Sequence, residues 1–292
     1  MNRRVGLFGM EIDALRMQEA TEQVLDWVDR GEHDCRYVVT PNVDHTVVFQ
    51  HHEGLRHTYA NASLVVADGT PVVVASRLLG RTLPECVTGA DLVPAIFDTV
   101  TNRKQDLRVY LLGARSGVAA RAAEKIAADW PTVEVVGTYS PSQGFENDSA
   151  ENDVILASIA EAEPDILIVG LGAPKQELWV HRHHERIRAH AALCVGATID
   201  FIAGEKSRAP VWMRRAGLEW LHRVSQEPRR LSGRYLRDAW IFPRLVWRQW
   251  RSQPAPNWWV QARSCGRPLS ASTLHLVRWV RAQSRPEMRF RR

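Results

Sequence analysis

Short apolar runs alternate with stretches of helical spacing through residue 205, and the alternation predicts the fold. Arg36 to Val39, Leu64 to Ala67, Leu107 to Gly113, Val133 to Tyr139, Asp165 to Gly172 and Ala191 to Ile199 read as strands. Several are continuously apolar, the mark of strands covered on both faces. Between them, Ile12 to Asp29, Asp44 to Ala62, Pro71 to Leu79, Ala90 to Thr101, Ser116 to Trp130, Ala150 to Glu161 and Lys175 to His184 carry helical spacing. Strands alternating with helices of this length predict an α/β fold: a Rossmann-like, mostly parallel sheet with helices on both faces.

From Arg208 the pattern changes to Arg- and Trp-rich helices over Val211 to Val224, Pro228 to Trp240 and Pro243 to Trp250. Ser252 to Pro256 breaks the run, and a further helix is expected around Leu274 to Gln283. The expected organisation is an α/β domain over 1–205, a basic helical appendage over 206–250, and a poorly ordered Trp/Arg-rich tail over 251–292.

Charge sharpens that division. The chain carries a net charge of +5, but residues 1–205 hold 18 Lys/Arg against 29 Asp/Glu, and residues 206–292 hold 20 against 4. Eight of the 11 tryptophans lie in the basic part. Trp mixed with Arg suits a segment in the interface of an anionic membrane, although nucleic-acid binders mix aromatics and Arg as well. No run reaches the roughly 18 apolar residues of a membrane span, and Met1 to Met10 lacks the apolar core of a secretory signal. A cytoplasmic protein is expected. Its four cysteines (Cys35, Cys86, Cys194 and Cys265) form no CxxC pair and fit reduced thiols.

Three predicted strand ends carry unusual polar residues, and in a parallel sheet such ends share one edge, where α/β proteins bind ligands. Thr40-Pro41-Asn42 is the first. Asp68-Gly69 is the second: Thr70 and Pro71 read as the N-cap and first residue of the next helix, which leaves Asp68 without a capping role. Asp68 then reads either as a turn aspartate or as a reactive carboxylate. The third is Gly170 to Glu177, where Gly172 permits close approach and Lys175 and Gln176 sit in the first turn of a helix, an arrangement suited to a diphosphate or a sugar hydroxyl. Gly113 to Gly117 is a weaker phosphate loop without the GxGxxG spacing. No Asp-x-Asp, HExxH or CxxC is present, so no metal site or cofactor is expected; His181, His183 and His184 read as a solvated helix face.

Six stretches, TPN (40–42), VVADGTPVV (65–73), VTGADL (87–92), LLGARSGVAARAA (111–123), GLGAPKQE (170–177) and RAPVWMRRAGLEWLHRVSQEPRRL (208–231), resemble the WecG/TagA/CpsF glycosyltransferases. The resemblance implies an inverting, metal-independent transferase at the inner face of the cytoplasmic membrane. Such an enzyme moves a sugar from a UDP donor to a polyprenyl-diphosphate-linked sugar in surface-polymer synthesis. It further implies Asp68 as general base, with Thr40, Asn42 and Gln176 beside it and Arg223 and Arg230 brought by the appendage. Cys86 stands where the family usually has Arg, and Gly233 where a third appendage Arg is common, with Arg234 as its neighbour. Donor sugars left open are N-acetylmannosamine, its uronic acid, and glucose or glucuronic acid; a subunit interface at the site also stays open. A nucleoside-diphosphate-sugar hydrolase would share the sheet and loops. A nucleic-acid-binding protein would use the basic tail but gives the strand-end polar residues no role.

Overall fold

A computed structural model describes residues 3–31, 34–215 and 217–252, with the side chains of Val211, Arg215 and Arg230 outside the described set. The expected helix around Leu274 to Gln283 lies outside the described residues, as does the expected tail apart from Arg251 and Ser252, which are helical rather than poorly ordered. Residues Met1–Trp250 belong to one compact unit.

The chain opens with an antiparallel hairpin, β1 (Arg4–Leu7) and β2 (Met10–Asp13), where helical spacing had suggested a helix from Ile12. Helix α1 begins only at Met17 and ends at Arg30. The remaining strands are β3 (Arg36–Val39), β4 (Leu64–Val65), β5 (Leu107–Gly113), β6 (Val133–Tyr139), β7 (Ile166–Gly170) and β8 (Ala191–Cys194). They form one parallel sheet in the order β4-β3-β8-β7-β5-β6.

The expected stretch from Asp44 to Ala62 is two helices, α2 (Val43–Phe49) and α3 (Glu53–Ala60), and Asn42 rather than Asp44 caps the first. Then follow α4 (Thr70–Leu78), α5 (Gly89–Arg103), α6 (Val118–Asp129), α7 (Ser149–Ala162), α8 (Lys175–His183) and α9 (Thr198–Ala203). Gly69, not Thr70, is the N-cap of α4, so Pro71 sits one position further in.

Alternating side chains split the core between the two sheet faces. Val38, Leu64, Val109, Leu111 and Ile168 pack with α1, α5, α6 and α9 on one face. Tyr37, Val39, Val65, Leu112 and Val169 pack with the hairpin, α3, α4, α7 and α8 on the other. Both faces are covered, as the apolar runs require.

Three helices complete the unit: α10 (Val211–Arg215), α11 (Glu219–Gln226) and α12 (Pro228–Ser252). The expected helix over Val211 to Val224 breaks at Gly217, where φ is +71°. The expected break before Pro243 is absent, because Phe242, Leu245 and Val246 pack against the core and Phe242 meets Phe8 at 5.3 Å between ring centroids. That anchoring outweighs the hydrogen bond a proline removes from a helix interior.

Candidate active site

All parallel strands finish at one edge, so the loops after β3, β4, β5, β7 and β8 share it. Against the β3 and β4 end lies a cleft of about 440 Å³ bounded by α10, α11 and α12. Asn42 and Asp44 come from the β3 end, Asp68 from the β4 end, Thr88 and Asp91 from the start of α5, and Arg214, Glu219, Arg223 and Arg234 from the three C-terminal helices. Gly217 lets those helices approach: a Cβ there would stand 3.1 Å from the Thr70 Cβ.

Asp68 is pinned through its backbone, whose N–H donates to the Pro41 carbonyl at 2.9 Å. Its partly buried carboxylate faces the cleft, and its pKa is pushed up to about 6. Burial is the main cause, Glu219 and Asp91 add to it, and Arg223 and His45 oppose it. A carboxyl poised near neutrality can accept a proton during a reaction, as a general base must.

Arg208, Arg214, Arg234 and Arg237 are held by acidic groups of the α/β body, and Arg223 by a carboxylate of its own helix. Arg208 donates to both Asp91 oxygens at 2.6 and 2.8 Å, and Arg214 reaches the same carboxylate at 3.3 Å. Burial works against ionisation of Asp91, but the bonds from Arg208 and Thr88 hold its pKa below the ordinary value. Asp44 pairs with Arg234 at 3.5 Å and with Arg237. Arg223 pairs with Glu219 at 3.3 Å and lies over the Phe201 ring. Arg214, Arg223 and Arg234 each keep a buried Nε donor without a partner among the described residues. Three arginines lining one cleft suit an anionic ligand such as a phosphate ester.

Asp68, Asn42, Arg223 and Arg234 all line this cleft. The side chain of Arg230, which starts in the first turn of α12, lies outside the described residues. The other expected residues do not line this cleft. Thr40 is buried and donates to the Cys194 carbonyl at 3.2 Å. Lys175 pairs with Glu146 at 3.0 Å over the Phe145 ring. Gln176 is buried; its Oε1 accepts from the backbone N–H groups of Gly172 and Gly196, so its side chain is spent on the protein rather than exposed to a ligand. Gly113 is a packing residue: a Cβ there would come within 2.5 Å of the Gly170 carbonyl. The histidines of α8 are not a solvated face. His183 is buried against Trp179, and His181 bridges the Tyr37 hydroxyl and His57, each at 2.9 Å.

Cys86 lines the cleft and accepts the Gly69 N–H at 3.0 Å. Burial, with Asp68 second, pushes its thiol up to about 12, so it is a neutral wall beside the carboxylate. Sequence reasoning missed Asp44, Asp91, Arg208, Arg214 and Glu219. The one signal was local: Asp91 and Arg208 both fall inside family-like stretches, but nothing in the spacing paired them across 117 positions.

The α/β fold thus carries a carboxylate and a set of arginines at the carboxyl edge of its sheet, where folds of this class bind their ligands. The chain belongs to the glycosyl transferase WecG/TagA/CpsF family, which it matches over residues 5–256. It is a glycosyltransferase. Among its relatives is an N-acetylglucosaminyldiphosphoundecaprenol N-acetyl-beta-D-mannosaminyltransferase of Bacillus spizizenii, 30% identical over 66% of this chain and 72% of the relative. A protein of the same description from Staphylococcus aureus strain MW2 is 26% identical over 78% of this chain and 87% of its own.

Proposed function

We propose that the enzyme is an inverting, metal-independent transferase that moves a hexose-type sugar from a UDP donor to a polyprenyl-diphosphate-linked sugar at the inner face of the cytoplasmic membrane. The names of the relatives favour N-acetylmannosamine as the sugar moved and an N-acetylglucosamine on diphosphoundecaprenol as its acceptor. The observation that carries the reading is Asp68: a carboxylate whose pKa is pushed up to about 6, in a cleft that Arg214, Arg223 and Arg234 also line.

In this reaction Asp68 takes the proton from the acceptor hydroxyl while that oxygen bonds to the anomeric carbon. The bond from that carbon to the diphosphate oxygen breaks, and UDP departs with the electron pair. A single displacement inverts the anomeric centre. Charge that builds on the leaving diphosphate needs donors already in place, and Arg214, Arg223 and Arg234 supply them. Asn42 is a neutral polar group of the same cleft. Residues 206–250 act as the appendage that both completes the cleft and docks on the membrane.

The test is UDP release from a panel of UDP-sugars, with a synthetic polyprenyl-diphosphate sugar in lipid vesicles and a chelator present. Release is expected to require the acceptor, to survive the chelator, and to fall by about a hundredfold or more in Asp68→Asn, the size of losing a general base. Full-rate release without acceptor would instead make the protein a UDP-sugar hydrolase. Unchanged release in the variant would return Asp68 to a turn residue.

A further inference from the structure

Beneath the cleft, one run of hydrogen bonds joins the ends of three strands. After β7 and β8, the Gly172 and Gly196 N–H groups donate to Gln176 Oε1 at 3.3 and 3.2 Å. Two donors on one atom identify it as the amide oxygen, so the other amide atom is the nitrogen, and Nε2 donates to Glu177 Oε1 at 2.8 Å. Glu177 is fully buried, and the same Oε1 faces His45 Nε2 at 3.1 Å. Across the imidazole, Nδ1 lies 2.9 Å from Asn42 Oδ1. That atom is an oxygen because it also accepts the His45 backbone N–H at 3.2 Å.

Both ring nitrogens of His45 thus meet oxygen acceptors, and a ring nitrogen needs a hydrogen to bond one. The Asn42 backbone N–H also points at Nδ1, but at 3.4 Å it is the longer contact. We propose that His45 and Glu177 form a buried imidazolium–carboxylate pair that positions Asn42, fixing its carboxamide oxygen inward so that its Nδ2 hydrogens are what it offers the cleft. His45 is then a positioning residue, and Gln176 and Glu177 set it against the two glycine loops. The inference rests on the reading of this cleft as the site of sugar transfer.

The surroundings support the charged ring. Burial lowers the imidazole pKa, but Glu177 on α8, Asp44 on the same helix and Asp68 at the β4 end outweigh it and leave the pKa raised. Tyr59 of α3 packs near the ring, at 6.5 Å between centroids. Its own pKa is driven well above the ordinary value, by burial first, so it brings no charge at neutral pH. An ion pair buried this deeply seldom raises stability over an apolar pair of the same volume, so the role assigned to this one is orientation of Asn42.

The first arm of the test needs no substrate. Long-range nitrogen NMR of the full chain with labelled histidine is expected to show, at neutral pH, the His45 imidazole with both nitrogens protonated. That signal disappears in His45→Gln and becomes a neutral ring in Glu177→Gln. The second arm is kinetic. Glu177→Gln is expected to lower kcat by about 10- to 100-fold with donor KM changed less than about twofold, the behaviour of a displaced catalytic group. Asn42→Ala is expected to lose a similar factor, and the double variant no more than the larger single loss, because both remove one interaction. A neutral His45 ring in the folded wild type, or losses that multiply in the double variant, overturns the proposal. Should the wild type transfer no sugar, the NMR arm still decides whether the buried pair exists.

Discussion

Asp68 sits between charges of opposite sign, and that arrangement sets the pH at which it can act. Its carboxyl must be ionised to accept a proton, so kcat/KM is expected to fall about tenfold per pH unit below about pH 6. Glu219 raises the Asp68 pKa and Arg223 lowers it, although the two are paired at 3.3 Å. Glu219→Gln removes a repelling charge and is expected to move the acid limb down. Arg223→Gln removes an attracting charge and is expected to move it up. The readout is the position of the limb in a pH–rate profile rather than its height, since Arg223 also faces the ligand. Limbs of both variants that superpose on the wild type would mean that neither charge reaches Asp68. This balance was only half legible in the sequence: the end of an apolar run marked Asp68, while Glu219 lies 151 positions further on and no local pattern joins them.

At the scale of elements, α10 and α12 are hung on the α/β body by carboxylates at the cleft rim, Asp91 and Asp44. Asp91, in the first turn of α5, receives Arg208 through two bonds and Arg214 through a third. Asp91→Asn removes the charge while keeping the shape. It is expected to open residues 205–227 to limited proteolysis and to lower transfer by about tenfold, a cost of about 1.4 kcal/mol in the transition state. An unchanged digestion pattern would show that packing alone holds the helices. Elements whose spacing reports their burial, such as β5, α6 and β7, were legible. The β1–β2 hairpin was not, because four-residue strands leave too short a pattern to separate from the helical spacing beside them. Nor was the continuity of α12 through Pro243, since local chemistry favours a break and only contact with Phe8 and the core overrides it.

Over the whole molecule, an acidic body carries a basic, Trp-rich end. On α12 the exposed Leu236, Trp240, Trp247 and Trp250 recur at spacings that place them on one stripe, and the Arg244 guanidinium lies 3.8 Å over the Trp240 ring. No helix among the described residues is long and apolar enough to cross a membrane. Interfacial docking through this stripe makes two demands on the full-length protein in vesicle flotation. Binding to anionic vesicles should weaken as salt rises from about 0.1 to 1 M, where the screening length falls from about 10 to 3 Å. Trp240→Ala combined with Trp247→Ala should weaken it at low salt as well. Binding that ignores salt and lipid charge would remove the electrostatic part of the docking.

The sequence by itself determined the layering and the active edge. A strand buried on both faces must be apolar along its length, and a helix on a sheet must repeat its apolar residues every three or four positions, so those elements and their shared edge can be read locally. The division of charge at residue 205 and the place of Asp68 at a strand end follow from the same reading. Only the tertiary structure decided which polar side chains face the cleft. Gln176 and Asn42 both stand at strand ends, yet Gln176 turns inward to two glycine N–H groups while Asn42 lines the cleft. Thr40 turns to the Cys194 carbonyl. The choices for Thr40 and Gln176 depend on the Cys194 carbonyl and the Gly196 N–H, 154 and 20 positions away, which only the folding of the sheet brings within hydrogen-bond range.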